Sequence, residues 1–151
     1  EFALNRDPWD RAQILVAGPN FGCGSSREAA PRALRERGFR AIIAPSFGDI
    51  FYNNCFRNGI VPVRLEREVV ERVGGHLQEH AGQACELDVD LVESRVSVPH
   101  SGERHAFTVP RLLRRMLLDG VDEVELTRRQ ADRIAEFRQR DRQRRPWAYL
   151  G

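Results

Sequence analysis

Between residues 13 and 65, short apolar runs alternate with segments of helical period, and this alternation constrains the fold more than any other feature of the chain. QILVAG at 13–18 is a strand-type run, and the loop PNFGCGSS follows it. REAAPRALRERG then places Ala29, Ala30, Ala33 and Leu34 at helical spacing, with a serine ahead of it as an N-cap candidate and Gly38 as its stop. FRAIIAPS at 39–46 reads as a second buried strand, and Ser46 can cap the helix FGDIFYNNCFRNG, which Gly59 ends. IVPVRL is a third strand, moved toward a sheet edge by Pro62 because proline cannot donate to a ladder.

The flanking segments fill out the pattern. Residues 1–11 (EFALNRDPWDR) read as an extended lead-in. From Glu66 to His80, Val69, Val70, Val73 and Leu77 share one face of an amphipathic helix, although Gly74 and Gly75 weaken its middle. From residue 84 the period changes to two: CELDVDLVESRVSV, a turn at HSGER, and HAFTV predict an antiparallel ribbon. Pro110 opens a helix through RLLRRMLLDG, and a last helix is expected from Thr127 toward Arg145. With no repeat and no linker, residues 1–151 are expected to form a single α/β domain with a mixed sheet and flanking helices.

Composition narrows the chemistry. The chain has 151 residues, 41% hydrophobic and 30% charged, and no apolar run approaches the ~20 residues that a helical membrane span requires. All 24 basic residues are arginine, which excludes Schiff-base chemistry and a Walker-type lysine. A net charge of +2 gives no general affinity for polyanions. Cys23, Cys55 and Cys85 are odd in number and widely spaced, without a CxxC pair, so they predict neither a disulfide framework nor a zinc or iron–sulfur ligand set, and a reducing cytoplasm fits them. The sequence begins at Glu1 without methionine and without a signal peptide, so a natural N-terminal segment is expected to be missing.

The chemistry-bearing segment is PNFGCGSSRE, where a loop leaves a strand and enters a helix. Backbone amides of Gly24, Ser25, Ser26 and Arg27 near a helix N-terminus favour an anion. Gly22 and Gly24 lack the Cβ atoms that would hold a ligand off the backbone, and Arg27 offers a planar fork for a carboxylate or phosphate. A dinucleotide fingerprint fails, because G-x-G-x-x-G would need glycine at 27. From the residues alone, an anion or carboxylate site and a structural turn both stay open.

FGCGSSRE, taken with RAIIAPSFGDIFYNNCFRNGIVPV, closely resembles the small-subunit family of 3-isopropylmalate dehydratase and, more distantly, the swivelling C-terminal domain of aconitase. The likeness is strong over residues 1–65 and rests on pattern beyond them. It implies a swivelling β/β/α domain that closes over a separate large subunit, the carrier of a [4Fe-4S] cluster whose iron acts as Lewis acid; no cofactor is implied on this chain. It also implies that Ser25 is the base that removes the substrate's carbon-bound proton and that Arg27 binds a carboxylate of a small hydroxy-dicarboxylic acid. Gly24 and Ser26 are then substrate-binding, while Gly22, Cys23 and Asn54 shape the loop, Asn54 more as a structural residue than as a ligand. Two departures stand out: the family's preceding V-D-T-D-type segment, with its substrate-selecting residues, is absent, and Ala29 stands where the family usually has histidine. The substrate's side chain stays open among the isopropylmalate, homoaconitate and methylmalate types.

Two further signals have plainer readings. HLQEH at 76–80 formally matches the H-x-x-E-H zinc pattern, but no third ligand is evident in sequence and a solvated helical face is expected. RRQADRIAEFRQRDRQRR at 128–145 carries eight arginines against three acids and would suit an RNA-binding, aconitase-like module. Its interleaved Asp132, Glu136 and Asp141, with Ile134 and Phe137, instead predict a surface helix or subunit contact, with no nucleic acid or membrane partner.

Overall fold

The computed structural model describes residues 3–24, 26–80 and 86–149, so Ser25 and Cys85 lie outside the described residues. The chain divides into two units, Glu1–Asp119 and Gly120–Gly151.

In the first unit the alternation builds a parallel sheet. β1 (Ile14–Val16), β2 (Ala41–Ala44) and β3 (Val61–Arg64) pair in the order β1-β2-β3, with Ile14 opposite Ala41 and Ile42 opposite Pro62. β2 is the central strand and is covered on both faces, so AIIA is apolar without alternation and buried throughout. Pro62 sits on the edge strand β3, where its missing N–H leaves no ladder partner unsatisfied. The crossovers are α1 (Ala29–Arg37) and α2 (Asp49–Arg57), and α3 (Arg67–Glu79) follows β3. α1 stops where Gly38 takes a φ of 115° and its N–H donates to the Arg35 carbonyl at 3.1 Å.

Strand period two sorts the side chains into two cores. Leu15, Ile42 and Ala44 join Phe47, Phe51 and Phe56 of the α2 region, with Leu113 and Leu117 of α4 (Arg111–Asp119) against them. Ile14, Val16, Ile43 and Val63 enter the other core, shared with Val70 of α3 and with Val96 and Phe107. Ile42, Ile43, Val63 and Val96 are fully buried, a state that contributes about 1.5–3 kcal/mol per side chain.

Val96 belongs to a second, antiparallel sheet of β4 (Asp88–Asp90), β5 (Arg95–Val98) and β6 (Glu103–Ala106), in the order β4-β5-β6. The expected α/β class therefore takes the form of helices, a parallel sheet and an antiparallel sheet in layers, the β/β/α arrangement. The long strand expected over CELDVDLVESRVSV, residues 85–98, breaks at 91–94. There Asp90 Oδ1 accepts the amides of Val92 (2.7 Å) and Glu93 (2.8 Å), and Ser94 adopts a φ of 53°. A side chain that bonds its own downstream backbone outcompetes the ladder locally. The HSGER turn stands where predicted, with Gly102 N–H donating to the Val98 carbonyl at 2.9 Å.

The lead-in is not extended. It forms two 3-10 turns, Ala3–Asn5 and Trp9–Arg11, and Arg37 of α1 donates to the carbonyls of Leu4 and Asp10, the latter at 2.8 Å. In the second unit the single helix expected from Thr127 is instead two, α5 (Glu123–Arg128) and α6 (Ala131–Arg144), before a 3-10 turn at Pro146–Ala148. Asp122 is the working N-cap, accepting Glu125 N–H at 2.7 Å, while the Thr127 hydroxyl donates back to the Glu123 carbonyl at 2.8 Å from inside α5. Among the described residues, no helix is long and apolar enough to cross a membrane.

Candidate functional site

The loop after β1 is fixed to the β2–α2 connection by main-chain bonds. Phe21 N–H donates to the Ser46 carbonyl (3.0 Å) and Gly48 N–H to the Phe21 carbonyl (2.9 Å), a parallel bridge that pairs Phe21 with Phe47. Asn20, at a φ of 56°, donates its N–H to Ser46 Oγ (2.8 Å), and the Ser46 hydroxyl donates to Asn20 Oδ1 (3.1 Å). Cys23 N–H closes the turn onto the Asn20 carbonyl at 3.1 Å.

The loop glycines have different duties. Gly22 has a φ of 75°, and a Cβ there would fall within the Phe51 ring of α2. That same ring meets Phe21 edge-on with centroids 5.4 Å apart. Gly48 is a second close approach, since a Cβ on it would lie 2.9 Å from Cys23 Cα. Gly24 has open space where its Cβ would be. Gly22 and Gly48 thus let the loop lie against α2, whereas the space beside Gly24 is open.

The expected Ser46 cap on α2 does not form. α2 starts after Gly48 with no side-chain cap, because the Ser46 hydroxyl is committed to Asn20. α1 starts at Ala29 after Glu28, again without a side-chain cap, and Ala30 N–H donates to the Arg27 carbonyl at 3.4 Å. Ser26 and Arg27 are therefore exposed on the approach to α1, just upstream of its positive dipole end, rather than within its first turn.

Gly22, Cys23, Gly24, Ser26 and Arg27 lie together on this loop, while Ser25 lies outside the described residues. Asn54 sits apart on α2, the helix whose N-terminal end carries the loop, and is the one polar residue in the buried set among the described residues. Its carbonyl accepts both the backbone N–H (3.1 Å) and the side-chain Nδ2 (2.9 Å) of Asn58, whose Nδ2 also lies 3.4 Å from Glu28 Oε1. Asn58, bonded to the Asn54 carbonyl, thereby joins the end of α2 to the entry of α1. Sequence reasoning missed Asn20, Ser46, Gly48 and Phe51 as the loop's anchors. Asn20 carried a usable signal, since asparagine is a residue that tolerates a left-handed φ.

Among the described residues, Cys23 and Cys55 do not suit an iron–sulfur cluster. Cys23 is exposed, whereas Cys55 is fully buried in the α2 core and burial pushes its thiol up to about 12. Cluster ligation requires deprotonated thiolates converging on one site, which a buried neutral thiol and an exposed one do not provide.

Residues 1–68 match the aconitase C-terminal domain family. A 3-isopropylmalate dehydratase small subunit from Neisseria meningitidis serogroup C is 45% identical over all 151 residues, which span 70% of that relative. This chain belongs to the 3-isopropylmalate dehydratase small-subunit family. A small subunit from Marinobacter nauticus is 46% identical over 149 residues, covering 99% of this chain and 68% of the relative. Among solved structures, a 3-isopropylmalate dehydratase from Methanocaldococcus jannaschii superposes with a TM-score of 0.59 at 28% identity, covering 82% of this chain and 68% of that one. Membership in this hydro-lyase family accounts for the β/β/α layering and directs attention to the loop after β1 rather than to the cysteines.

Proposed function

We propose that this chain is the small subunit of a hydro-lyase that converts 2-isopropylmalate to 3-isopropylmalate by dehydration and rehydration in leucine biosynthesis, in the cytoplasm. The observation that carries the reading is 45% identity, over all 151 residues given, to a small subunit of that name. In it, activity requires a large subunit, which holds the [4Fe-4S] cluster.

The chain's own contribution is proton transfer and carboxylate binding at the loop. Dehydration breaks a C–H bond on one carbon and a C–O bond on its neighbour. Ser25, as alkoxide, takes the proton, and the hydroxyl would leave toward the Lewis acid that the large subunit's cluster would supply; in rehydration Ser25 returns a proton to the carbon that lost hydroxyl, and hydroxyl adds to the carbon that lost the proton. A serine alkoxide is strongly basic and needs donors and positive charge around it, which backbone amides, the nearby α1 N-terminus and Arg27 supply in this reading. Arg27 takes a substrate carboxylate through its planar fork, and Gly24 and Ser26 line the approach. The exposure of Ser26 and Arg27 and the clear side of Gly24 support a loop that meets its substrate at a subunit boundary.

The test is reconstitution. Isomerisation of 2-isopropylmalate should appear when this chain is mixed with a cluster-loaded large subunit and be absent from either chain alone. Arg27→Lys in the assembled enzyme should raise KM several-fold, because charge is kept but the two-point contact is lost. Full turnover by either chain alone would refute the two-subunit reading.

A further inference from the structure

The chain has four histidines, and folding gathers three of them on the opposite end of α3 from its start. His76 and His80 are one helical turn apart, with ring centroids separated by 4.3 Å. His100, on the turn between β5 and β6, stacks beside both, 4.9 Å from His76 and 5.2 Å from His80. Glu79 completes the group: ligand atoms of His76, Glu79 and His80 all lie within 4.8 Å of one another. The β5–β6 turn thus brings the His100 ring beside the HLQEH pair from 20 residues beyond His80.

We propose that His76, His80, His100 and Glu79 form a binding site for a divalent transition-metal ion of the zinc type. Three imidazoles and one carboxylate suit zinc rather than magnesium or calcium, which take oxygen ligands. Ligand atoms on a tetrahedral zinc, at ~2.0–2.1 Å from the ion, stand about 3.3 Å apart, so side-chain rotation has little distance to close. The His80 tautomer is already set. Its Nδ1 lies 2.9 Å from the His76 carbonyl, which can only accept, so Nδ1 carries the hydrogen and the lone pair of the neutral ring lies on Nε2. A four-ligand set leaves no open position for substrate, so the site is structural: the ion would clasp the end of α3 to the β5–β6 turn.

Titration of the full chain with zinc chloride, followed by calorimetry, should show one high-affinity equivalent and a raised Tm. His100→Ala, on an exposed turn where no core packing is lost, should weaken binding at least about tenfold, and His76→Ala or His80→Ala should abolish it. His105, held 2.9 Å from Glu103, is the control, and His105→Ala should bind as the parent does. Cobalt(II) should give bands of a nitrogen and oxygen ligand set without thiolate charge transfer. Parent-like zinc affinity in His100→Ala and His76→Ala, or a thiolate charge-transfer band, would overturn the proposal, as would the absence of binding to the parent chain.

Discussion

A methyl group added at Gly22 would have to enter the Phe51 ring while the backbone held a φ of 75°, whereas one added at Gly24 meets nothing within 4 Å and no left-handed backbone. Gly22→Ala should therefore lose about 2–4 kcal/mol, combining the left-handed penalty with overpacking, and Gly24→Ala should stay within about 0.5 kcal/mol of the parent in urea unfolding. Equal losses at both positions would mean that the loop does not lie against α2. The cysteines separate in the same way. Because only a thiolate is alkylated and burial holds the Cys55 thiol at about 12, iodoacetamide at pH 8 should modify exposed Cys23 and spare Cys55 until the protein is unfolded, as read by peptide mass mapping. Comparable labelling of the two in the native protein would contradict the placement of Cys55 in the core.

The 3-10 turn at Pro146–Ala148 is tied to α6 by one carboxylate. Asp141 accepts two bonds from Arg145 (both 2.8 Å) and one from the Tyr149 hydroxyl (2.7 Å), and Arg145 foremost holds the Asp141 carboxyl below its usual range. A carboxyl lowered on folding stabilises above its unfolded value of about 3.9, and that stabilisation is lost as pH falls through the folded value. In a Trp9→Phe background, Trp147 fluorescence should be steady from pH 7 to about 4 and change below it, while Asp141→Asn should show the changed spectrum already at pH 7. The same pairing bears on the arginine-rich segment, where Arg140 pairs with Glu136 (3.6 Å) and Arg145 with Asp141, as the interleaved acids predict. Elements built on apolar period, β1 to β3 and α1 to α3, were legible because burial on one or both faces writes that period into the sequence. The break at 91–94 and the start of α5 at Glu123 were not, since each depends on one polar side chain, Asp90 or Asp122, bonding nearby backbone amides. Within the loop, glycines and arginine were visible as types; the Asn20–Ser46 clasp joins residues 26 apart and leaves no local pattern to read.

At the scale of the whole molecule, helices, parallel sheet and antiparallel sheet place Gly22–Gly24 after β1, with Gly22 against α2 and open space beside Gly24. In the proposed function, that loop serves a reaction completed by another chain. The account gives Ser25 the proton and Arg27 the carboxylate, so removing the Ser25 hydroxyl should spare substrate binding and disable turnover. The measurement is steady-state kinetics of Ser25→Ala assembled with a cluster-loaded large subunit, with Ser26→Ala as the neighbouring control. kcat should fall by roughly 10²–10⁴ with KM little changed, and Ser26→Ala should lose far less. Near-parent kcat in Ser25→Ala, with subunit assembly and cluster content intact, would contradict the account and leave the loop a structural turn.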